Sequence, residues 1–140
     1  MISQEAIVAE ARTWIGVPFL HQGRSRNGVD CIGLVLCVRA ALGPFPEAQG
    51  KPTTYSRTAR DASLLSYMTD ECEQGLEPEP GGIVLIQWPG TQQPSHVAIC
   101  TGENIVHSYA RQRRVLEVGY RAQWTKWTHS FWRIPGVRYV

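Results

Sequence analysis

Gly28-Val-Asp-Cys-Ile-Gly-Leu-Val-Leu-Cys-Val-Arg-Ala-Ala-Leu-Gly43 decides the fold. Asp30 is a good N-cap, and Cys31 to about Leu42 reads as a helix carrying Ile32, Leu34, Val35, Leu36, Cys37, Val38, Ala40 and Ala41. A helix apolar nearly all round belongs at the centre of a domain, wrapped by other elements. Gly43 and Pro44 close it. Cys31 therefore stands on the first turn, where unpaired N–H groups and the positive end of the dipole favour a thiolate.

Working outward, Phe19 to Val29 is polar, glycine-containing loop text. Before it, about Gln4 to Ile15 has Ile7, Ala11, Trp14 and Ile15 at helical spacing, with Ser3 as N-cap and Gly16 and Pro18 as stops. Residues 44–57 hold several prolines and read as an irregular crossing, and Thr58 to about Gln74 is helical in pattern. Glu77 to Gly82 is a turn, after which the text changes to strands: Ile83–Trp88, His96–Thr101, Ile105–Tyr109, Val115–Val118 and Phe131–Ile134. Gly102-Glu103-Asn104 makes a hairpin of the second and third. Helices first and an antiparallel sheet second is the α+β class.

The 140 residues (15.7 kDa) fit one domain spanning 1–140. Apolar residues at 43% and charged residues at 19% exclude a generally disordered chain. A net charge of +2 without a basic stripe argues against nucleic acid as partner. No apolar run approaches the roughly 20 residues of a membrane helix, and Met1-Ile-Ser-Gln-Glu5 has no signal-peptide pattern, so no membrane insertion and synthesis in the cytoplasm are expected. The four cysteines, Cys31, Cys37, Cys72 and Cys100, contain no CxxC pair, and no metal or other cofactor is expected. Cys37 and Cys100 read as core.

A cysteine nucleophile needs a base. His96 opens one hairpin strand and His107 lies on the other, and neighbouring strands run about 5 Å apart, so the two imidazoles can meet. One can take the thiol proton while the other orients it. His21 and His129 lie in loop-like and Trp-rich text and read as non-catalytic, with His21 lining the cleft. Trp124, Trp127 and Trp132 either close the core behind the sheet, the favoured reading, or present a sugar- or partner-binding face.

Ala11-Arg-Thr-Trp-Ile-Gly-Val-Pro-Phe19, Gly28-Val-Asp-Cys-Ile-Gly-Leu-Val35, Pro80-Gly-Gly-Ile-Val-Leu-Ile86, Ser95-His-Val-Ala-Ile99 and Ile105-Val-His-Ser108 resemble, in order and spacing, the blocks of the NlpC-type cell-wall peptidases. The short form with His21-Gln22 is most similar to a branch encoded by phages and associated with tails. The resemblance implies a papain-like α+β fold, N-terminal helices packed on an antiparallel sheet. It implies a cysteine endopeptidase cutting peptidoglycan stem peptides, commonly between D-γ-glutamate and diaminopimelate, with stem peptides and phage tail proteins as partners and a tail as destination. It maps nucleophile, base and orienting residue onto Cys31, His96 and His107, and substrate contacts onto Asp30, Ser95 and the position of Phe19. The family usually carries Ser at Ile32, Tyr at Phe19 and often Asp at Gly82. Two other readings stay open: a tail-assembly or structural module without turnover, and a thiol amidase or acyl transferase.

Overall fold

A computed structural model describes residues 1–43 and 62–140. The crossing expected at 44–57 and the start of the helix expected from Thr58 lie outside the described residues.

The central helix forms as its sequence dictates. It is α2, Cys31–Leu42, with Asp30 in extended backbone and its carboxylate accepting from the Gly33 N–H at 2.8 Å. Ile32, Leu36 and Val38 are wholly buried. Helix α1, Gln4–Arg12, packs beside it, capped by the Ser3 hydroxyl, which accepts from the Ala6 N–H. It ends three residues before Ile15, because the Thr13 N–H turns back to Glu10 and Ala11 and Gly16 takes a left-handed φ of +95°. Trp14 still enters the core, whereas Ile15 is half exposed.

The second half is a six-stranded antiparallel sheet. Its strands are β4 (Glu73–Gly75), β5 (Ile83–Ile86), β6 (His96–Cys100), β7 (Asn104–Tyr109), β8 (Arg114–Gly119) and β9 (Thr128–Arg133), in the order β4-β9-β5-β6-β7-β8. The α+β class therefore holds. Two short pairs stand outside the sheet: β1 (Ile2–Ser3) with β10 (Val137–Arg138), and β2 (Arg24–Ser25) with β3 (Gly28–Val29). α3 covers Ser63–Glu71, so the expected helix stops short of Gln74, which pairs with Trp132 at the sheet edge. Strand β5 stops at Ile86 rather than Trp88, because the Gln87 N–H leaves the ladder for the Trp127 carbonyl. A one-turn helix, α4, spans Gln123–Lys126.

Strand alternation sorts the sheet residues into two clusters. Ile83, Leu85, Val97, Ile99, Val106 and Val115 share one core with α1 and α2. Val84, Ile86, Ala98, Cys100 and Ile105 form the other, closed by Trp124. The tryptophans divide accordingly: Trp132 lies in the helix-side core, Trp124 in the second cluster, and Trp127 is only partly buried against it. Cys37 and Cys100 are buried free thiols, as expected of core.

Two departures from the family's usual residues find their place here. Ile32 is wholly buried in the helix-side core and has no access to a substrate. A Cβ on Gly82 would stand 3.1 Å from the Glu79 carbonyl and 3.2 Å from that of Trp132, so the glycine suits a tight turn against β9.

Candidate active site

The site is assembled where the start of α2 meets the start of β6. The loop before α2 is tied to the sheet from several sides. The Ser108 hydroxyl of β7 donates to the Val29 carbonyl at 2.7 Å, and Phe19 bridges to Val29 while its N–H donates to the Arg113 carbonyl. Asp30 is buried; besides capping α2 it accepts from the Gln22 N–H at 2.7 Å. That bond accompanies a φ of +62° at Gln22, a conformation uncommon outside glycine.

Cys31 is buried on the first turn. Its Sγ lies 3.9 Å from the Ser95 carbonyl oxygen, to which it donates, and it faces the Val97 N–H and the N–H groups of Ile32 and of Cys31 itself. The sulfur thus contacts the backbone on both sides of His96. Val106 and Ile105 oppose Ile99 and Cys100 across the hairpin. In that register His96 and His107 are diagonal neighbours on one face, a separation that aromatic side chains bridge. His96 Nε2 and His107 Nδ1 are 2.7 Å apart.

An aromatic frame holds the pair. Trp88 stacks on His96 with ring centroids 5.1 Å apart at 28°, Tyr109 stacks on His107 at 5.1 Å and 15°, and Trp124 stands edge-on to His107 at 4.9 Å. Tyr109 had a signal in the sequence, since it lies two residues beyond His107 on the same strand face. Trp88 ends the expected strand Ile83–Trp88, while nothing local marks Trp124, brought in by the α4 turn.

Burial dominates the electrostatics. It pushes the Cys31 thiol up to about 12, helped by the neighbouring Asp30 charge and opposed by the three N–H groups. This reverses the expectation that the helix start would lower the thiol: loss of hydration outweighs the dipole. Burial, then His107, holds His96 well below the ordinary imidazole range, and burial takes His107 down to about 4. Burial thus favours the neutral form of all three groups.

The remaining expected residues lie at the rim. His21 Nδ1 is 3.9 Å from Asp30 Oδ2, which places it beside the start of α2. Ser95 contributes its carbonyl to Cys31, while its own hydroxyl is buried and finds no partner among the described residues. Phe19 is half buried beside Val29. His129 is exposed and bonds Ser130 rather than the histidine pair. Among the described residues no group of three or more His, Cys, Asp or Glu could hold a metal ion, and no helix is long and apolar enough to cross a membrane.

Solved structures share this architecture. The NlpC/p60 domain of the peptidoglycan hydrolase SagA is 22% identical, with 94% of this chain and 98% of that one covered and a TM-score of 0.60. NlpC1 from Trichomonas vaginalis is 17% identical over 94% of this chain and 43% of its own, with a TM-score of 0.67. RipB, a peptidoglycan hydrolase from Mycobacterium tuberculosis, is 19% identical over 93% and 63%, with a TM-score of 0.56. The chain thus spans one whole domain of the first and less than two thirds of the other two. No protein with a curated description matches it. The fold is the papain-like α+β fold of these domains. The NlpC/P60 family model matches residues 16–133, a stretch that takes in Cys31, His96, His107 and the elements that carry them, and the chain belongs to the NlpC/P60 family.

Proposed function

We propose that this chain is a cysteine endopeptidase of bacterial cell-wall stem peptides, with Cys31 as nucleophile, His96 as base and His107 as the residue that orients it. The observation that carries the reading is the 2.7 Å His96–His107 contact placed where the Cys31 sulfur meets the backbone around His96. For His96 Nδ1 to accept the thiol proton, its Nε2 must carry the hydrogen and donate to His107 Nδ1. Cys31 Sγ then attacks the scissile carbonyl, with N–H groups of the α2 start as donors to the oxyanion. The His96 imidazolium returns its proton to the leaving amine, and water releases the acyl group from the sulfur.

Similarity to the NlpC/P60 domains of peptidoglycan hydrolases supports a cell-wall substrate. The resemblance to the NlpC-type peptidases makes the D-γ-glutamyl–diaminopimelate bond the proposed target, and that to their phage-encoded branch makes a phage tail the proposed setting, with Asp30, Ser95, Phe19 and His21 at the substrate rim. The test is digestion of purified peptidoglycan, with mass analysis of the fragments. Wild type releases fragments with a new amino terminus, whereas Cys31→Ala and His96→Ala lose activity by a factor on the order of ten thousand or more, the double variant being hardly worse. An active Cys31→Ala protein ends the thiol reading, and a folded wild type that cuts nothing ends it in favour of the non-catalytic module. Transfer of the acyl group to an added amine in place of hydrolysis would favour the acyl transferase.

A further inference from the structure

Trp88 stacks on His96 and also lines an open groove of about 600 Å³, together with Gln87, Pro89, Thr91, Lys126 and Trp127 among others. Trp88 and Trp127 meet at 5.7 Å and 80°, so their rings form a corner. Buried Trp124 stands edge-on to both, at 6.1 Å and 5.8 Å, and holds that corner in place. The loop is bound to itself and to the opposite wall. The Gln87 N–H donates to the Trp127 carbonyl, Gln87 Nε2 to the Thr91 carbonyl, and the Thr91 hydroxyl to the Trp88 carbonyl. The groove is preformed, and a ligand need not order it.

We propose that this groove binds a sugar ring of the glycan strand, so that the preferred substrate is a stem peptide still joined to its saccharide. The inference rests on the cell-wall reading above. An aromatic corner with hydroxyl and amide groups at its rim suits a ring that offers an apolar C–H face and polar edges, as a pyranose does. The distances agree. Ring contacts of 5.1 Å and 5.7 Å lead from His96 through Trp88 to Trp127. The D-γ-glutamyl carbonyl is separated from the sugar by the γ-linked glutamate chain, one alanine and the lactyl group, a span of roughly 12 Å when extended, enough to reach that corner.

The experiment compares kcat/KM on a stem tetrapeptide with and without its N-acetylglucosaminyl-N-acetylmuramic acid disaccharide. Wild type should favour the glycosylated substrate by about tenfold, mostly through KM, the scale of one aromatic contact. Trp127→Ala should bring the ratio near one, and Trp127→Phe should keep most of it. Equal rates on both substrates in wild type overturn the proposal. So does a Trp127→Ala protein that loses both activities alike, which would make the groove a peptide site. A titration of the disaccharide alone into the Cys31→Ala protein, followed by tryptophan fluorescence, covers the case in which Trp127→Ala does not fold. Saturable quenching whose midpoint Trp127→Phe largely keeps supports the groove, and the absence of saturable quenching overturns it. Wild type that cleaves neither substrate defeats the peptidase reading, while the titration still decides the groove.

Discussion

The two faces of the sheet are built from the same strands and do different work. Toward the helices, Ile83, Leu85, Val97, Ile99, Val106 and Val115 meet Ile32, Leu34, Val35 and Leu36, and this core is mainly aliphatic, with Trp14, Tyr67 and Trp132 among its members. On the other face Val84, Ile86, Ala98, Cys100 and Ile105 meet Trp124, bordered by Trp88, Tyr109, Trp127 and Phe131, and the histidine pair lies among these rings. Aliphatic packing maximises buried apolar surface and fixes the frame. Flat rings instead hold two imidazoles at a set distance and angle without hydrogen-bonding to them. The difference teaches a division of labour: losses on the helix side should appear as stability, and losses on the aromatic side as turnover.

The strongest way to break that division is Ile32→Ser, which installs the residue the family usually carries beside the nucleophile. Ile32 is wholly buried in the aliphatic core. Removing its branched side chain leaves a cavity, and the change should cost about 3 to 4 kcal/mol by denaturant unfolding. Turnover per folded molecule should stay within about threefold, well short of the effects typical of a lost positioning contact. A large kcat loss with unchanged stability would mean that position 32 takes part in the site, and the comparison would fail.

A smaller effect should mark the aromatic side. His107→Ala should lower kcat/KM by about a hundredfold, the scale of a positioning defect, and His107→Gln should recover part of it because an amide can still accept from His96. The pH profile gives a readout that mere packing would not move: the His96 limb should shift in the Ala variant more than in the Gln variant. His107 is itself wholly buried, so the Ala variant also loses some stability, and rates are compared per folded molecule. Equal, near-wild-type activity of both variants would reduce the triad to a pair.

The central helix, its Asp30 cap and the hairpin carrying His96 and His107 were legible in the sequence, because each rests on local signals: a cap, a buried apolar run, a tight turn. That the two imidazoles can meet followed from the hairpin, but their diagonal placement came only with the strand register. The edge strand Glu73–Gly75 was not legible, being exposed, polar and defined only by its partner Phe131–Arg133. Nor was the early end of α1, where Ile15 completes an apolar pattern yet lies half exposed. Trp88 and Trp124 were missed as a frame because their roles depend on how remote segments pack. The raised Cys31 thiol was missed for the same reason: a helix start is a local feature, whereas burial is a property of the whole fold.

The smallest effect tests the buried histidines through pH and stability. In the folded protein His107 is held near 4 and His96 well below the usual range, whereas both unfolded imidazoles titrate near 6.5. Between about pH 6.5 and pH 4 the unfolded chain therefore binds protons at these positions that the folded chain does not. Stability must then rise with pH across this window and fall as pH drops through it. The carboxylates Glu79 and Glu117 act lower: their arginine partners hold them below the ordinary range, and the stability they lend is lost only as the pH falls through and below about 4.5. Urea unfolding at pH 7.0, 6.0 and 5.0 should show a loss between the first and the last to which His107 alone contributes on the order of 2 kcal/mol, with His96 adding in the same direction. His107→Gln should flatten part of that slope while leaving the region below pH 4.5 unchanged. A slope identical in wild type and His107→Gln would mean that His107 is hydrated in the folded protein, and that the ring-lined face is not the dry side of the molecule.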